Sequence, residues 1–250
     1  MQFGWKFCLL TFLAAGIGCR SYYDSSGMNG RLTTLDTTIA VDSSLVLIIE
    51  PYKSVIDIEM NEIISYSEIA ITKNQPEGLL GNFVSDLVLY MCNTYYAPQG
   101  TQYDVVLLNN GGLRAALPKG LIRVGDVYSL MPFENETIIL TLTGENFLAM
   151  VQYIIQSGGT PFAGMRISSR QLILDSLTIN GEAFDQTKNY TVITSDYLAT
   201  GGDKMSFFMN PVESKSLSVL IRDLIIQFLK EQNKTGIPIH PELDGRIVYE

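Results

Sequence analysis

Histidine is nearly missing from this sequence: His240 is the single imidazole in 250 residues. Hydrolytic two-metal centres are ordinarily built from several histidines together with carboxylates. No metal site or metal cofactor is therefore expected within these residues, and no motif for carboxylate-only magnesium chemistry stands out. Cysteine is almost as scarce. Cys8, Cys19 and Cys92 form neither a CxxC pair nor a Cys/His cluster, which leaves no structural zinc site. Positive charge is short as well, with 17 Lys and Arg against 26 Asp and Glu and a net charge of −9. Polymeric nucleic acid is gripped by clustered cations, so it is not an expected partner. The leading apolar run, Phe7–Ile17, falls short of the roughly 20 residues of a membrane span.

That run has another reading. Lys6 precedes it, and it ends in Gly16-Ile17-Gly18-Cys19, which resembles a bacterial lipoprotein signal with Cys19 as the lipidated residue. Gly16 stands where such signals prefer leucine, so ordinary secretion and a retained anchor stay open as alternatives. The expected organisation is a signal peptide over 1–18, a Ser/Thr/Gly/Asp-rich tether over 19–40, and one folded domain over 41–250. An exported, membrane-anchored lipoprotein on the periplasmic or cell-surface side is implied. Lipidation of Cys19 would leave Cys92 as the only free thiol and no disulfide. Cys92 itself lies beside an apolar helical stripe, where core packing is the simpler role.

Hydrophobic residues make up 46% of the chain and charged ones 17%, enough for one good-sized core. Leu45, Ile48, Ile49, Tyr52, Ile56, Met60 and Ile63 keep helical spacing, with Ser43 or Ser44 as a cap and Pro51 as a kink or the true start. Leu80, Phe83, Val84, Leu87, Val88, Met91 and Tyr95 predict a second helix. A strand is expected over Asp104–Leu108, a short helix after Gly125, and a strand over Thr137–Thr143. Thr143 then caps a helix carrying Phe147, Val151, Ile154 and Ile155. Strands follow over Met165–Ser169, Leu172–Ile179 and Tyr190–Thr194. A last helix carries Leu217, Leu220, Ile221, Leu224, Ile225, Phe228 and Leu229, and Arg246–Tyr249 closes as a strand. Helices and strands mix without a regular βαβ repeat, which predicts a single α+β domain of mixed sheets and flanking helices.

Two glycine-rich loops follow predicted strands: Asn109-Asn110-Gly111-Gly112-Leu113-Arg114 and Asp196-Tyr197-Leu198-Ala199-Thr200-Gly201-Gly202-Asp203. Paired glycines let backbone approach a ligand closely or turn with positive φ, and Arg114 offers a planar fork to a phosphate. Each loop alone is equally consistent with an ordinary turn. Neither is a Walker loop or a GxGxxG fingerprint. His240, between two prolines, reads as a loop residue, and Glu77 and Asp86 read as helix caps or surface charges.

The order of segments carries more. Pro76–Asp86, Asn109–Arg114, Met131-Pro132-Phe133, Thr141–Gly144, Tyr197–Asp203 and Asp244-Gly245-Arg246-Ile247 resemble, in succession, the C-terminal domain of the 5′-nucleotidase and UDP-sugar hydrolase family over about residues 45–250. The resemblance implies a layered sandwich that binds the nucleoside part of a substrate and carries it to a two-metal phosphoesterase domain. By the same resemblance Asn109 would meet the base and Arg114 the phosphate side. Phe133 and Tyr197 would sandwich the base, and Asp203 would accept hydrogen bonds from the ribose hydroxyls. Tyr197 stands where phenylalanine is usual, and Asn74 where the family often has a phosphate-clamping arginine. Lys73 is a poor geometric substitute. Only leader and tether lie upstream, so the chain is expected to lack its own metallophosphoesterase domain. Divalent metals would belong to a separate metallophosphoesterase partner. The alternatives are a non-catalytic nucleoside- or nucleotide-binding lipoprotein and a degenerate interaction domain.

Overall fold

A computed structural model of the protein describes residues 38–250 together with Gly30, Leu32, Thr34 and Asp36. Cys19, the signal peptide and most of the tether lie outside the described residues. Ile49–Glu250 group as one compact unit.

The first helix, α1 (Ser43–Met60), begins where Asp42 accepts the backbone N–H groups of Ser44 at 2.9 Å and Leu45 at 3.3 Å. Asp42 is thus the cap in place of Ser43 or Ser44, because an acceptor one residue earlier reaches the same orphan donors. The helix continues through Pro51, and none of its residues is buried. Its apolar stripe is exposed from Leu45 to Ile56, and only Met60 at its end packs, partly buried, against the core. Ile63, assigned to that stripe, belongs instead to β1 (Ile63–Ser67).

The frame is a five-stranded sheet. Its strands are β2 (Val105–Leu107), β4 (Glu136–Thr143), β5 (Phe162–Ala163), β9 (Asn189–Ser195) and β10 (Glu213–Leu220). They lie side by side in the order β10-β4-β9-β2-β5. Alternate side chains of this sheet enter opposite cores. Val106, Ile139 and Ile193 join one core with α2 (Leu79–Tyr95), α3 (Val124–Leu130) and α6 (Ile221–Asn233). Val105, Leu107, Ile138, Leu140 and Val192 face the other, which holds α4 (Gly144–Gln156) and a four-stranded sheet. That second sheet is built from β6 (Met165–Arg170), β7 (Ile173–Ile179), β8 (Glu182–Ala183) and β11 (Ile247–Tyr249), in the order β11-β6-β7-β8. A two-stranded sheet pairs β1 with β3 (Gly120–Arg123). The result is a single α+β domain of layered sheets and helices. Each large side chain fully withdrawn into these cores, such as Phe147 or Leu107, stabilises it by about 1.5–3 kcal/mol.

Thr143 caps α4, its hydroxyl accepting Asn146 N–H at 3.3 Å, and Phe147, Val151, Ile154 and Ile155 are buried on that helix. In α2 the stripe from Leu80 to Met91 is buried with Cys92. Tyr95, placed on the same stripe by periodicity, is exposed and donates its hydroxyl to Glu231 at 3.0 Å. Two further expectations are corrected. Leu217 and Leu220 belong to β10, and the last helix starts only at Ile221. Leu217-Ser218-Val219 alternates apolar and polar as a strand does, and β4 offers the segment an edge, pairing Ser216 with Ile138. Neither Glu77 nor Asp86 is a cap, though Asp86 is an exposed charge, the other role expected of it. The cap position of α2 is Gly78, without a side-chain hydrogen bond. Glu77 accepts Asn82 Nδ2 at 2.6 Å and Asp244 N at 2.8 Å. Asp86 grips the Arg246 guanidinium through both oxygens at 2.8 Å.

Candidate functional site

The sheet order explains why distant segments meet. β2 and β9 are parallel neighbours, with Val105 opposite Val192, so the loops after them leave the sheet at the same end. β4 is antiparallel to β9, with Thr137 opposite Ser195, so the residues preceding β4 arrive there too. The loop Asn109–Arg114 follows β2, Tyr197 and Asp203 follow β9, and Phe133 lies three residues before β4. All five residues predicted from the sequence therefore line one cleft of about 310 Å³, together with Gly111, Gly112 and Asn135. That volume is at the lower end of the roughly 300–1,000 Å³ of small-molecule sites.

Local chemistry shapes each wall. Ser195 caps the short helix α5 (Asp196–Ala199) by accepting Leu198 N–H at 3.2 Å. This turns the chain so that Tyr197 stands about half exposed in the cleft. A β-carbon on Gly202 would lie 2.6 Å from the Tyr197 ring, and one on Gly112 would lie 2.7 Å from Asn109 Oδ1. One glycine of each pair is thus the floor on which a cleft side chain rests. Phe133 is likewise partly exposed, and the Arg114 guanidinium lies 5.1 Å from its ring centre, within cation–π range. Among the described residues no carboxylate forms an ion pair with Arg114. Its planar donors remain available.

Asp203 is the most constrained group. Its Oδ1 accepts the Tyr197 hydroxyl at 2.9 Å, its Oδ2 accepts Asn109 Nδ2 at 2.5 Å, and its carbonyl accepts the Tyr153 hydroxyl at 3.0 Å. Burial, and then the charge of Asp203, raises the Tyr153 phenol above its ordinary pKa, so it stays a donor at neutral pH. A carboxylate offers about four lone-pair directions, and two here are taken. The cleft therefore holds two aromatic faces, a free guanidinium and a partly occupied carboxylate. That set suits a flat ring bearing hydroxyls and an anionic group.

Asn74 and Lys73 do not line this cleft, and Lys73 donates to the Leu113 carbonyl at 2.8 Å. His240 lines a separate groove of about 620 Å³ between α2 and the chain near residues 238–246, where none of the five cleft residues reaches. Among the described residues no group of three or more His, Cys, Asp or Glu side chains converges as a metal-binding set. Asp86 and Asp244 share a cation already, Arg246, which opposes a metal ion there.

Three supporting residues carried no signal in the sequence. Tyr153 lies off the buried stripe of α4 and reaches Asp203 from behind. Asn135 lines the cleft just before β4. Arg222 in α6 is buried, its guanidinium carbon 4.2 Å from the Tyr128 ring centre and its Nη1 3.4 Å from the carbonyls of Met131 and Phe133. It thereby backs the segment that presents Phe133. A buried arginine held by backbone carbonyls and a ring leaves no charge pattern in the sequence to find it by.

Residues 58–210 match the family described as 5′-nucleotidase, C-terminal domain. The matched span includes every residue of the cleft. The chain is 27% identical over 220 residues to the trifunctional nucleotide phosphoesterase protein YfkN of Bacillus subtilis, covering 80% of this chain and 14% of that protein. It is 22% identical over 244 residues to an apyrase of Tabanus yao, covering 87% and 43%. The 5′-nucleotidase precursor of Thermus thermophilus shares the fold with a TM-score of 0.68 at 22% identity, covering 82% of this chain and 42% of that one. The chain thus spans less than half the length of each of these proteins.

Proposed function

The chain belongs to the 5′-nucleotidase C-terminal domain family, and from that premise we propose that it is the nucleoside- and nucleotide-gripping half of a 5′-nucleotidase-type phosphohydrolase. One observation carries this reading: Asn109, Arg114, Phe133, Tyr197 and Asp203, drawn from three separate segments, line one cleft. Phe133 and Tyr197 offer aromatic faces to a base, each worth about 1–3 kcal/mol of stacking. Asp203 suits a hydroxyl-rich sugar and Arg114 an anion.

Hydrolysis, on this proposal, is supplied by a separate metallophosphoesterase that takes the gripped nucleotide, and nucleotide catabolism on the periplasmic or cell-surface side of the membrane is the process served. The single histidine of the sequence supports that division of labour. So does α1. Leu45, Ile48, Ile49, Tyr52, Val55, Ile56 and Ile58 are exposed along it, an apolar surface of the kind that marks a partner contact. The proposal also holds the protein at the membrane through a lipid on Cys19. A non-catalytic nucleoside-capturing lipoprotein is the second reading, favoured by Arg114 being the single cation among the residues that line the cleft.

Calorimetric titration of the full-length protein with adenosine and AMP tests the grip, and absence of binding by both ligands sinks it. Phosphate release from AMP, assayed with manganese, zinc or magnesium, separates the two readings. The split enzyme requires activity only when a secreted metallophosphoesterase is added. The anchor is tested by Cys19→Ala, which should free the protein from the membrane fraction or leave it unprocessed.

A further inference from the structure

Asp203 adopts φ 51°, and Lys204 after it φ 65°. A residue with a β-carbon enters this left-handed region at a cost, and keeps it where surrounding contacts impose it. The contacts are identifiable. From behind, α4 delivers Tyr153, whose hydroxyl donates to the Asp203 carbonyl oxygen at 3.0 Å and whose ring leans on Phe207 with centres 5.5 Å apart. From within the cleft, the Tyr197 hydroxyl donates to Asp203 Oδ1 at 2.9 Å and receives the Asp203 backbone N–H at 3.3 Å. The Tyr197 ring cannot drift inward, because it already rests on Gly202. Two phenols therefore fix both the main chain and the carboxylate plane of Asp203, and Asn109 occupies the second oxygen from the side.

A carboxylate clamped in this manner holds the remaining lone pair of each oxygen in a fixed direction. Two adjacent hydroxyls of a vicinal diol can be met by such a pair of oxygens, whereas a freely rotating carboxylate would have to be ordered on binding. We propose that Tyr153 and the hydroxyl of Tyr197 are positioning residues that set the sugar selectivity of the cleft, making it prefer ligands with a 2′,3′-diol over deoxygenated ones. The inference rests on the nucleoside reading of the cleft and adds the chemical feature that selects among nucleosides. Tyr153 touches no ligand surface in this account and acts only through Asp203.

The test uses full-length wild type, Tyr153→Phe and Tyr197→Phe, each titrated with adenosine and with 2′,3′-dideoxyadenosine beside its melting curve. Both substitutions keep the ring and remove one hydroxyl. The expected result is that wild type prefers adenosine, and that either variant lowers the adenosine-to-dideoxyadenosine affinity ratio about threefold to tenfold, the fold-change of one lost hydrogen bond. A purely structural role predicts something else: a lower melting temperature and equal weakening of both ligands. An unchanged ratio in both variants, with wild type still selective, overturns the inference while leaving the nucleoside site intact. A wild type that binds both ligands equally also overturns it alone. A wild type that binds neither ligand removes the nucleoside reading, and the inference with it.

Discussion

Arg246 and Arg114 sit in opposite circumstances, and the contrast separates what holds this molecule together from what it offers to solvent. Arg246 is 7% exposed. It is bidentate to Asp86, paired with Asp244 at 3.0 Å, and donates to the Phe162 carbonyl at 2.7 Å. Nearly every donor of its fork is used within the protein, and the bonds tie β11's approach to α2 and β5. Arg114 lies exposed against the ring of Phe133, without an ion pair among the described residues. A saturated guanidinium stabilises the fold, and an unsaturated one beside aromatic faces is free to bind.

The sharpest way to break this contrast is Arg246→Met. Loss of a buried ion-pair partner costs about 3–5 kcal/mol when both members are buried. Asp86 is half exposed and can recover water, so about 2–3 kcal/mol is expected. For a domain of this size that is a fall in melting temperature of roughly 5–10 °C, with adenosine affinity unchanged. A variant that melts like wild type but loses the ligand would reverse the assignment of the two arginines.

Next in size are Phe133→Ala and Tyr197→Ala. Each removes one stacking face, so affinity for adenosine should fall about 5- to 150-fold, equivalent to 1–3 kcal/mol. Both rings are partly exposed, and melting curves should barely move. Large destabilisation with intact ligand affinity in both would make them packing residues and end the nucleoside-site proposal. Arg114→Ala should do less. It should weaken AMP about fivefold to tenfold more than adenosine, and the difference should shrink as salt is raised, since an exposed charge pair is screened. Equal weakening of both ligands would move Arg114 away from the phosphate side.

The smallest effect belongs to Cys92, on the same helix as Asp86. Burial pushes its thiol up to about 12, so the protonated, unreactive form persists through neutral and mildly alkaline pH. A thiol reagent at pH 8 should leave native Cys92 unlabelled for as long as the domain stays folded, and label it on denaturation. Rapid labelling in the native state would show that α2 opens locally.

Much of the cleft is legible in the sequence, because its parts are short and local. A strand followed by Asn-Asn-Gly-Gly or by Tyr-Leu-Ala-Thr-Gly-Gly-Asp turns sharply wherever it occurs, and the order of those segments carries the family. The buried stripes of α2 and α4 were equally plain, since helical periodicity is written in neighbouring residues. Other features depended on partners far along the chain. Leu217 and Leu220, three positions apart, fit a helical stripe, and only the open edge of β4 drew them into strand β10. Asp86 and Arg246 meet across 160 positions, and Tyr153 reaches Asp203 across 50. Local sequence determined which residues turn, stack and carry charge. The parallel pairing of β2 with β9, and the antiparallel return of β4, decided which of them share a cleft, because strand direction sets the end of the sheet at which each loop emerges.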